Sequence, residues 1–140
     1  MNIVLIKKDN RHLVEKFIKI AGDSLLNFRY FKSRRLECLD NHIVTVIGLE
    51  NKIPVCYGHL DKEDNNVWLG IAVSHKHRGG GLGKTIMKEL LDQAIINGIK
   101  SIKLSVFKKN KIAQKLYEQY GFKKFSESDE SFFYRLNVKK

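Results

Sequence analysis

Proline, cysteine and long apolar runs are scarce in this sequence, and each scarcity excludes a class of protein. The 140 residues include one proline and two cysteines, Cys38 and Cys56, and no CxxC motif occurs. Neither a disulfide framework nor a structural zinc site is therefore expected. No apolar run approaches the roughly 20 residues of a transmembrane helix, and the first residues lack the pattern of a signal peptide. We expect a cytoplasmic protein that does not enter a membrane.

Acidic residues are also few compared with basic ones. The sequence has 15 Asp and Glu against 26 Lys and Arg, which gives a formal net charge of +11. Residues 71–140 contain 15 basic and 6 acidic residues, whereas residues 1–70 contain 11 and 9. This distribution predicts an anionic partner that binds mainly the second half. Nucleic acid is one candidate, because binding a phosphate backbone requires a basic domain.

The residues that are present suffice for one folded domain. The composition is 43% hydrophobic and 29% charged, which is typical of a globular protein, and repeats and linker-like stretches are absent. A chain of this length matches one domain in size, so we expect a single domain over residues 1–140.

Hydrophobic periodicity predicts strands alternating with helices. Strands are predicted at residues 2–7, 43–49, 54–60, 67–73, 102–106, 122–125 and 131–138. Helices are predicted at residues 9–21, at 111–120, and where Leu82, Ile86, Leu90 and Ala94 repeat every fourth residue. Residues 24–41 are predicted to contain a helix and a loop, and residues 61–66 a polar turn. Gly70, inside an apolar strand, indicates a β-bulge or a close backbone approach.

A basic, glycine-rich loop separates the strand at residues 67–73 from the following helix. Its sequence is Arg78-Gly79-Gly80-Gly81-Leu82-Gly83-Lys84. Unpaired amides and the positive end of the helix dipole meet there and favour an anion. Glycines let the backbone approach phosphate oxygens, and Arg78 and Lys84 add positive charge. The loop is therefore predicted to bind a diphosphate.

Two common nucleotide-binding motifs do not match this spacing. GxxxxGK[ST] would need a glycine where Arg78 stands, and GxGxxG would need one where Lys84 stands. The spacing that does occur is R-x-x-G-x-G, formed by Arg78, Gly81 and Gly83. With the apolar strand before it, this motif resembles the GNAT acyltransferase superfamily.

A second stretch carries the same resemblance. Residues 110–122 follow the pattern N-x-x-A-x-x-L-Y-E-x-x-G-F, which is similar to another motif of that family. The two motifs together cover about residues 67–125. The resemblance implies a single-domain GNAT fold of the α/β (α+β) class, with a mixed, mostly antiparallel sheet flanked by helices.

The resemblance also implies acetyl-CoA as cofactor, with CoA as the product. Family members bind its diphosphate at the glycine loop and its pantetheine arm along the preceding strand, where a strand amide stabilises the oxyanion. The residues so implied are Ile71, Ala72, Val73, Arg78, Gly79, Gly80, Gly81, Leu82, Gly83, Lys84, Asn110 and Tyr117. Tyr117 matches the tyrosine that protonates the departing thiolate. Asn110 could equally serve only as a helix cap.

The general base is less clearly marked. Residues 68–71 contain no carboxylate, whereas His59 and Asp61 share one face of the preceding strand, and Glu63 lies further away. We take His59 as the base because a histidine titrates near neutral pH. His75 and His77 have no evident third ligand, so no metal site is expected.

The acceptor is expected to bind the segment Phe28, Arg29, Tyr30 and Phe31, which combines aromatic surface with a cation. A small-molecule primary amine fits this lining, including an anionic one such as a nucleotide-linked amino sugar, whereas the basic surroundings disfavour polyamines. Three alternatives stay open at this point. The acceptor could be a protein or peptide amine, the protein could be a nucleic-acid-binding module without catalysis, and a homodimer is compatible with the sequence.

Overall fold

The computed structural model describes residues 1–21, 42–77 and 79–138. The strands are β1 Asn2–Leu5, β2 His42–Glu50, β3 Ile53–Glu63, β4 Asn66–Val73, β5 Ser101–Phe107, β6 Lys123–Glu127 and β7 Ser131–Asn137. The helices are α1 His12–Ala21, α2 Leu82–Ile96 and α3 Lys111–Gln119. The predicted helix and loop at residues 24–41 lie outside the described residues.

The seven described strands form one sheet in the order β1-β2-β3-β4-β5-β7-β6. All neighbouring pairs are antiparallel except β4 and β5, which are parallel. The mixed, mostly antiparallel sheet predicted from the sequence is therefore confirmed. The parallel pair needs a long crossover connection, and α2 supplies it.

Helix α1 covers one face of the sheet at strands β2, β3 and β4. Its buried Val14 and Phe17 pack against Ile47 and Tyr57, and the rings of Phe17 and Tyr57 stack with centroids 6.0 Å apart. Burial of this apolar surface fixes α1 on the sheet, because hydrophobic stabilisation follows the apolar area removed from water. We call this side the α1 face.

Helix α2 packs on the opposite face. The predicted repeat is confirmed, because Leu82, Ile86, Leu90 and Ala94 are all buried. Gly58 of β3 allows a close approach, since a Cβ there would lie 2.5 Å from Cγ2 of Ile86. The helix ends at Ile96 with Asn97 as its C-cap, and Gly98 follows with a positive φ of 69°.

Strands β4 and β5 are joined at a single point, the pair of Trp68 with Lys103. In contrast, β3 and β4 are paired continuously from Glu63–Asn66 to Cys56–Val73. Beyond Trp68, the edge of β4 that faces β5 has no pairing in the described sheet. The two strands separate here and leave a site open between them.

One local prediction was wrong, and one alternative of a second does not occur. The polar residues 61–63 are not a turn, because β3 continues to Glu63 and pairs with β4. The turn is confined to Asp64 and Asn65, where Asp64 has a φ of 55°. The pairing of Gly70 with His59 lies in an unshifted register, so the bulge suspected at Gly70 does not occur on that side.

Candidate active site

A cavity of about 500 Å³ lies where β4 separates from β5, beside the beginnings of α2 and α3. Ten of the twelve residues predicted to bind the cofactor line it: Ile71, Ala72, Val73, Gly79, Gly81, Leu82, Gly83, Lys84, Asn110 and Tyr117. Gly80 is not among the described residues that line it, and Arg78 lies outside the described residues. One cavity thus brings both sequence motifs together.

The glycine loop forms one end of this cavity. Gly79 and Gly81 have positive φ angles of 85° and 77°, a conformation that favours glycine. Gly81 is the N-cap residue of α2 and brings no side chain to accept from the first amides of the helix. Gly83 lies against α3, since a Cβ there would be 3.2 Å from Cδ2 of Leu116.

The polar groups of this wall fit an anionic diphosphate. His77 lines the cavity, and its Nδ1 is buried without a hydrogen-bond partner in the part of the chain that the structure describes. Buried polar atoms without a partner are rare in folded proteins. Lys84 and Lys115 also line the cavity and add positive charge. Sequence reasoning treated His77 only as a metal candidate, and its orientation carries no sequence signal.

Asn110 holds the start of α3 at the cavity. Its Oδ1 accepts a hydrogen bond of 3.2 Å from the backbone N–H of Ala113, which confirms the helix cap. Gln114, a residue that the sequence did not single out, donates from Nε2 to the carbonyls of Phe107 and Lys108 at 3.0 Å each. These bonds fix the connection between β5 and α3, so Asn110 has a defined position in the wall.

Tyr117 projects from α3 into the apolar part of the site. Its side chain is 6% exposed, and its ring lies 5.9 Å from that of Phe122. Burial raises the pKa of the Tyr117 hydroxyl above its ordinary value. The phenol therefore stays protonated at neutral pH and keeps a proton to donate.

His59 lies on the α1 face, outside the described lining of the cavity. It is 3% exposed, and its Nδ1 is 2.7 Å from the hydroxyl of Tyr57. The ring of His42 lies 4.6 Å from that of His59, and Nδ1 of His42 is 2.6 Å from Oγ1 of Thr45. His42 was missed by sequence reasoning, because its distance along the chain gives no hint of this contact.

Asp61 is buried on β3, and it pairs with Trp68 in the sheet. The residues predicted to bind the acceptor, Phe28, Arg29, Tyr30 and Phe31, lie outside the described residues. Among the described residues, no group of three or more His, Cys, Asp or Glu is placed to hold a metal ion. The described helices include none long and apolar enough to cross a membrane.

The parallel strands β4 and β5 separate beside the glycine-rich start of α2, which has no side-chain cap. This arrangement is the one expected of the acyltransferase class that the two motifs indicate. Residues 11–122 match the model of the acetyltransferase (GNAT) family, and the chain belongs to this family. The resemblance to this family that the two sequence motifs indicate is confirmed, and so is the predicted GNAT fold.

Individual curated proteins match this chain at low sequence identity. The chain is 26% identical over 125 residues to the chloroplastic GCN5-related N-acetyltransferase 6 of Arabidopsis thaliana, a match that covers 86% of this chain and 40% of the relative. It is 35% identical over 71 residues to the spermine/spermidine N(1)-acetyltransferase of Bacillus subtilis, covering 49% of this chain and 47% of the relative. The chain thus spans less than half of the length of these curated relatives.

The fold is also similar to that of solved structures. The PaiA N-acetyltransferase from Thermoplasma acidophilum, solved in complex with coenzyme A, superposes with a TM-score of 0.75 at 16% identity. The superposition covers 98% of this chain and 99% of that one. At this identity the likeness concerns the fold alone.

Proposed function

We propose that this protein is an N-acetyltransferase that transfers the acetyl group of acetyl-CoA to a primary amine of a small molecule. The observation that carries the proposal is the cavity beside the unpaired edge of β4, where the glycine loop, Asn110 and Tyr117 meet. Membership of the GNAT family and the coenzyme A bound to a structural neighbour support acetyl-CoA as the donor. In this proposal residues 1–140 act as one acetyltransferase domain.

The glycine loop would hold the diphosphate of the cofactor. Backbone amides from Gly79 to Lys84, the charge of Lys84, and in our proposal Arg78 as well, suit phosphate oxygens. We add His77 to this group because the residue lines the same cavity. The pantetheine arm would follow Ile71, Ala72 and Val73, whose strand edge lacks a β5 partner in the described sheet.

Bound acetyl-CoA supplies an acetyl thioester, a group that an uncharged amine can attack directly. A backbone N–H at Ile71 or a neighbouring residue would donate to the carbonyl oxygen as negative charge develops there. Tyr117 would donate its phenolic proton to the departing sulfur. Burial disfavours negative charge near Tyr117. It therefore keeps the phenol protonated, and it also makes a CoA thiolate at this position more basic.

His59 is our proposed base for the acceptor ammonium. It lies on the α1 face opposite Gly70, which leaves the adjacent position on β4 without a side chain. A water molecule could connect His59 to an amine placed at the strand opening. The hydroxyl of Tyr57, 2.7 Å from Nδ1, fixes the orientation of the imidazole.

The acceptor is proposed to be a small, anionic amine, for which a nucleotide-linked amino sugar is one example. The net charge of +11 repels polyamines, although the name of the Bacillus relative assigns spermine and spermidine to that protein. The proposed acceptor lining includes Phe28, Arg29, Tyr30 and Phe31. A protein or peptide amine is the alternative of the same chemical class.

A combined binding and turnover experiment tests the proposal. We expect acetyl-CoA to raise the melting temperature of the protein, and a panel of amines to include acceptors that release the thiol of CoA. Fully N-acetylated forms of the same amines are the control and should release none. Two results together would favour a nucleic-acid-binding module instead: salt-sensitive binding of random duplex DNA, and no change in melting temperature on addition of acetyl-CoA.

A further inference from the structure

A row of three cations crosses strands β5, β7 and β6 on the α1 face. Lys103 pairs with Arg135 between β5 and β7, and Arg135 pairs with Lys123 between β7 and β6. Directly paired residues lie on the same face of a sheet, and neighbouring strands are about 4.8 Å apart. The row formed by Lys103, Arg135 and Lys123 is therefore about 10 Å long.

This cation row is unfavourable for the isolated fold. Like charges placed directly opposite each other on neighbouring strands destabilise a sheet. In the described part of the chain, no carboxylate forms an ion pair with Lys103, Arg135 or Lys123. The ion pair nearest in sequence, Lys108 with Glu127 at 2.6 Å, uses neither Arg135 nor Lys123. An uncompensated row of this kind is complementary to an external anion.

An aromatic side chain holds two of the cations in place. Nζ of Lys103 and Cζ of Arg135 both lie 5.5 Å from the centroid of the Phe125 ring. Phe125 is 43% exposed, and the ring of Phe133 lies 6.4 Å from it. Cation–π contacts restrict the long Lys and Arg side chains, so less freedom is lost when an anion binds.

The cation row begins at the proposed site of reaction. Lys103 forms the pair with Trp68 that precedes the separation of β4 from β5. From there the row leads away from the opening to β6, the edge strand of the described sheet. A molecule whose amine reaches the opening from the α1 face could thus place a second, anionic group on the row.

Accepting the proposed function, we propose that the acceptor is an amine that carries a phosphate or diphosphate group, and that the row Lys103, Arg135 and Lys123 binds this group. Three cations within about 10 Å exceed what one carboxylate can neutralise, whereas a phosphate monoester or a diphosphate carries about two negative charges in a small volume. Arg135 can donate two parallel hydrogen bonds to phosphate oxygens, and the lysines add charge. A polyamine would be repelled by the same row.

Matched acceptors test this proposal by kinetics. Glucosamine 6-phosphate and glucosamine present the same amine with and without a phosphate. We expect a kcat/KM at least about 10-fold higher for the phosphorylated sugar, since hydrogen bonds between a cation and a phosphate are stronger than those between neutral groups. Arg135→Gln should remove most of this preference and leave the affinity for acetyl-CoA unchanged.

Lys124→Gln is the matched control. It removes the same charge one residue from Lys123 on β6. Nζ of Lys124 lies 3.6 Å from the Phe132 ring centroid. Phe132 pairs with Glu127 and Val106 and with no residue of the cation row. This variant should keep the preference for the phosphorylated sugar. Equal losses in Arg135→Gln and Lys124→Gln would overturn the proposal, because general charge would then explain the effect.

Binding of UDP provides a readout that does not depend on turnover. UDP is titrated in the presence of saturating coenzyme A, which blocks the cofactor site. We expect binding that Arg135→Gln weakens about 10-fold or more and Lys124→Gln leaves intact. No UDP binding, equal use of both sugars, or a preference for acidic peptides or spermidine would overturn the phosphate-binding role. Failure of acetyl-CoA to bind would instead contradict the proposed function.

Discussion

His59 and Gly70 face each other across β3 and β4, in a register without shifts. Because Gly70 has no side chain, β4 places no atoms beyond its backbone between the imidazole and the separation of β4 from β5. Gly70 also lies only two residues beyond Trp68, where the pairing with β5 ends. His59 therefore lies next to a position of β4 that carries no side chain, although neither His59 nor Gly70 is among the described residues that line the cavity.

Replacing His59 with Gln should lower kcat/KM at neutral pH about 100-fold or more, since a positioned base contributes about 10²–10⁴ to the rate. The acidic limb of the pH–rate profile should disappear with it, because a general base acts only in its unprotonated form. His12→Gln, which changes an exposed histidine at the start of α1, should have no effect.

His59 is also buried and bonded to Tyr57, so the melting temperature of the variant must be measured with its activity. A folded His59→Gln protein that retains the acidic limb would show that another group or a water molecule takes the proton.

Tyr117→Phe should lower kcat about 100-fold, because the ring keeps its packing against Phe122 while the proton for the thiolate is lost. The dissociation constant of acetyl-CoA should change by no more than about twofold. Since burial raises the pKa of Tyr117, its ionisation should not add an alkaline limb to the wild-type profile below about pH 10.

Tyr120→Phe is the control for Tyr117. Tyr120 follows the same helix, and its hydroxyl donates to the carbonyl of Lys84 at 3.5 Å rather than lining the cavity. We expect this variant to turn over normally. If both variants were equally active, Tyr117 would not be the acid.

Gly81→Ala should weaken coenzyme A binding about 10-fold or more, as measured by calorimetry. Its positive φ of 77° disfavours alanine by about 1–2 kcal/mol, and the added methyl group would stand at the helix start that is proposed to hold the diphosphate.

Gly80→Ala serves as the matched control for the glycine loop. Gly80 has no positive φ, and a Cβ there would lie at an ordinary 3.6 Å from the carbonyl of His77. Coenzyme A should bind this variant as it binds the wild type. Equal weakening by both substitutions would show that the loop responds only to altered flexibility.

The features that could be predicted from the sequence depend on residues close together in the chain. The four-residue repeat of α2 and the cap at Asn110 are local signals, and both are present. The two motifs at residues 78–84 and 110–122 carry their own spacing. These motifs therefore indicate the residues of the cavity without any information on strand pairing.

The features that were missed depend on which strands become neighbours. The contact between the rings of His42 and His59 requires the register of β2 with β3. The cation row requires that β7 lie between β5 and β6, an order that does not follow the chain. The predicted turn at residues 61–66 was wrong for the same reason, since polar residues continue a strand when a partner strand is available.

Cys56 should make the protein less stable as the pH rises above about 9. The residue is fully buried, and burial raises the pKa of its thiol from 9.0 to about 12; a backbone hydrogen bond at Gly48 lowers this pKa and the charge of Glu50 raises it, both to a smaller extent. In the unfolded chain the thiol ionises near its ordinary pKa, so between pH 9 and about 12 unfolding releases a proton. The stabilising effect of the neutral buried thiol is complete below this range and is lost as the pH rises through it, by about 1.4 kcal/mol per pH unit.

Urea unfolding of the wild type and of Cys56→Ala at about pH 8, 9 and 10 measures this effect. The variant should be less stable at pH 8, because a buried side chain is truncated, but its free energy of unfolding should fall less steeply above pH 9. Val55→Ala truncates the neighbouring buried residue of β3, which is 1% exposed, and keeps the thiol. It should lose stability at every pH while retaining the steep wild-type slope. If Cys56→Ala kept that slope too, the proton released on unfolding would have to come from another group.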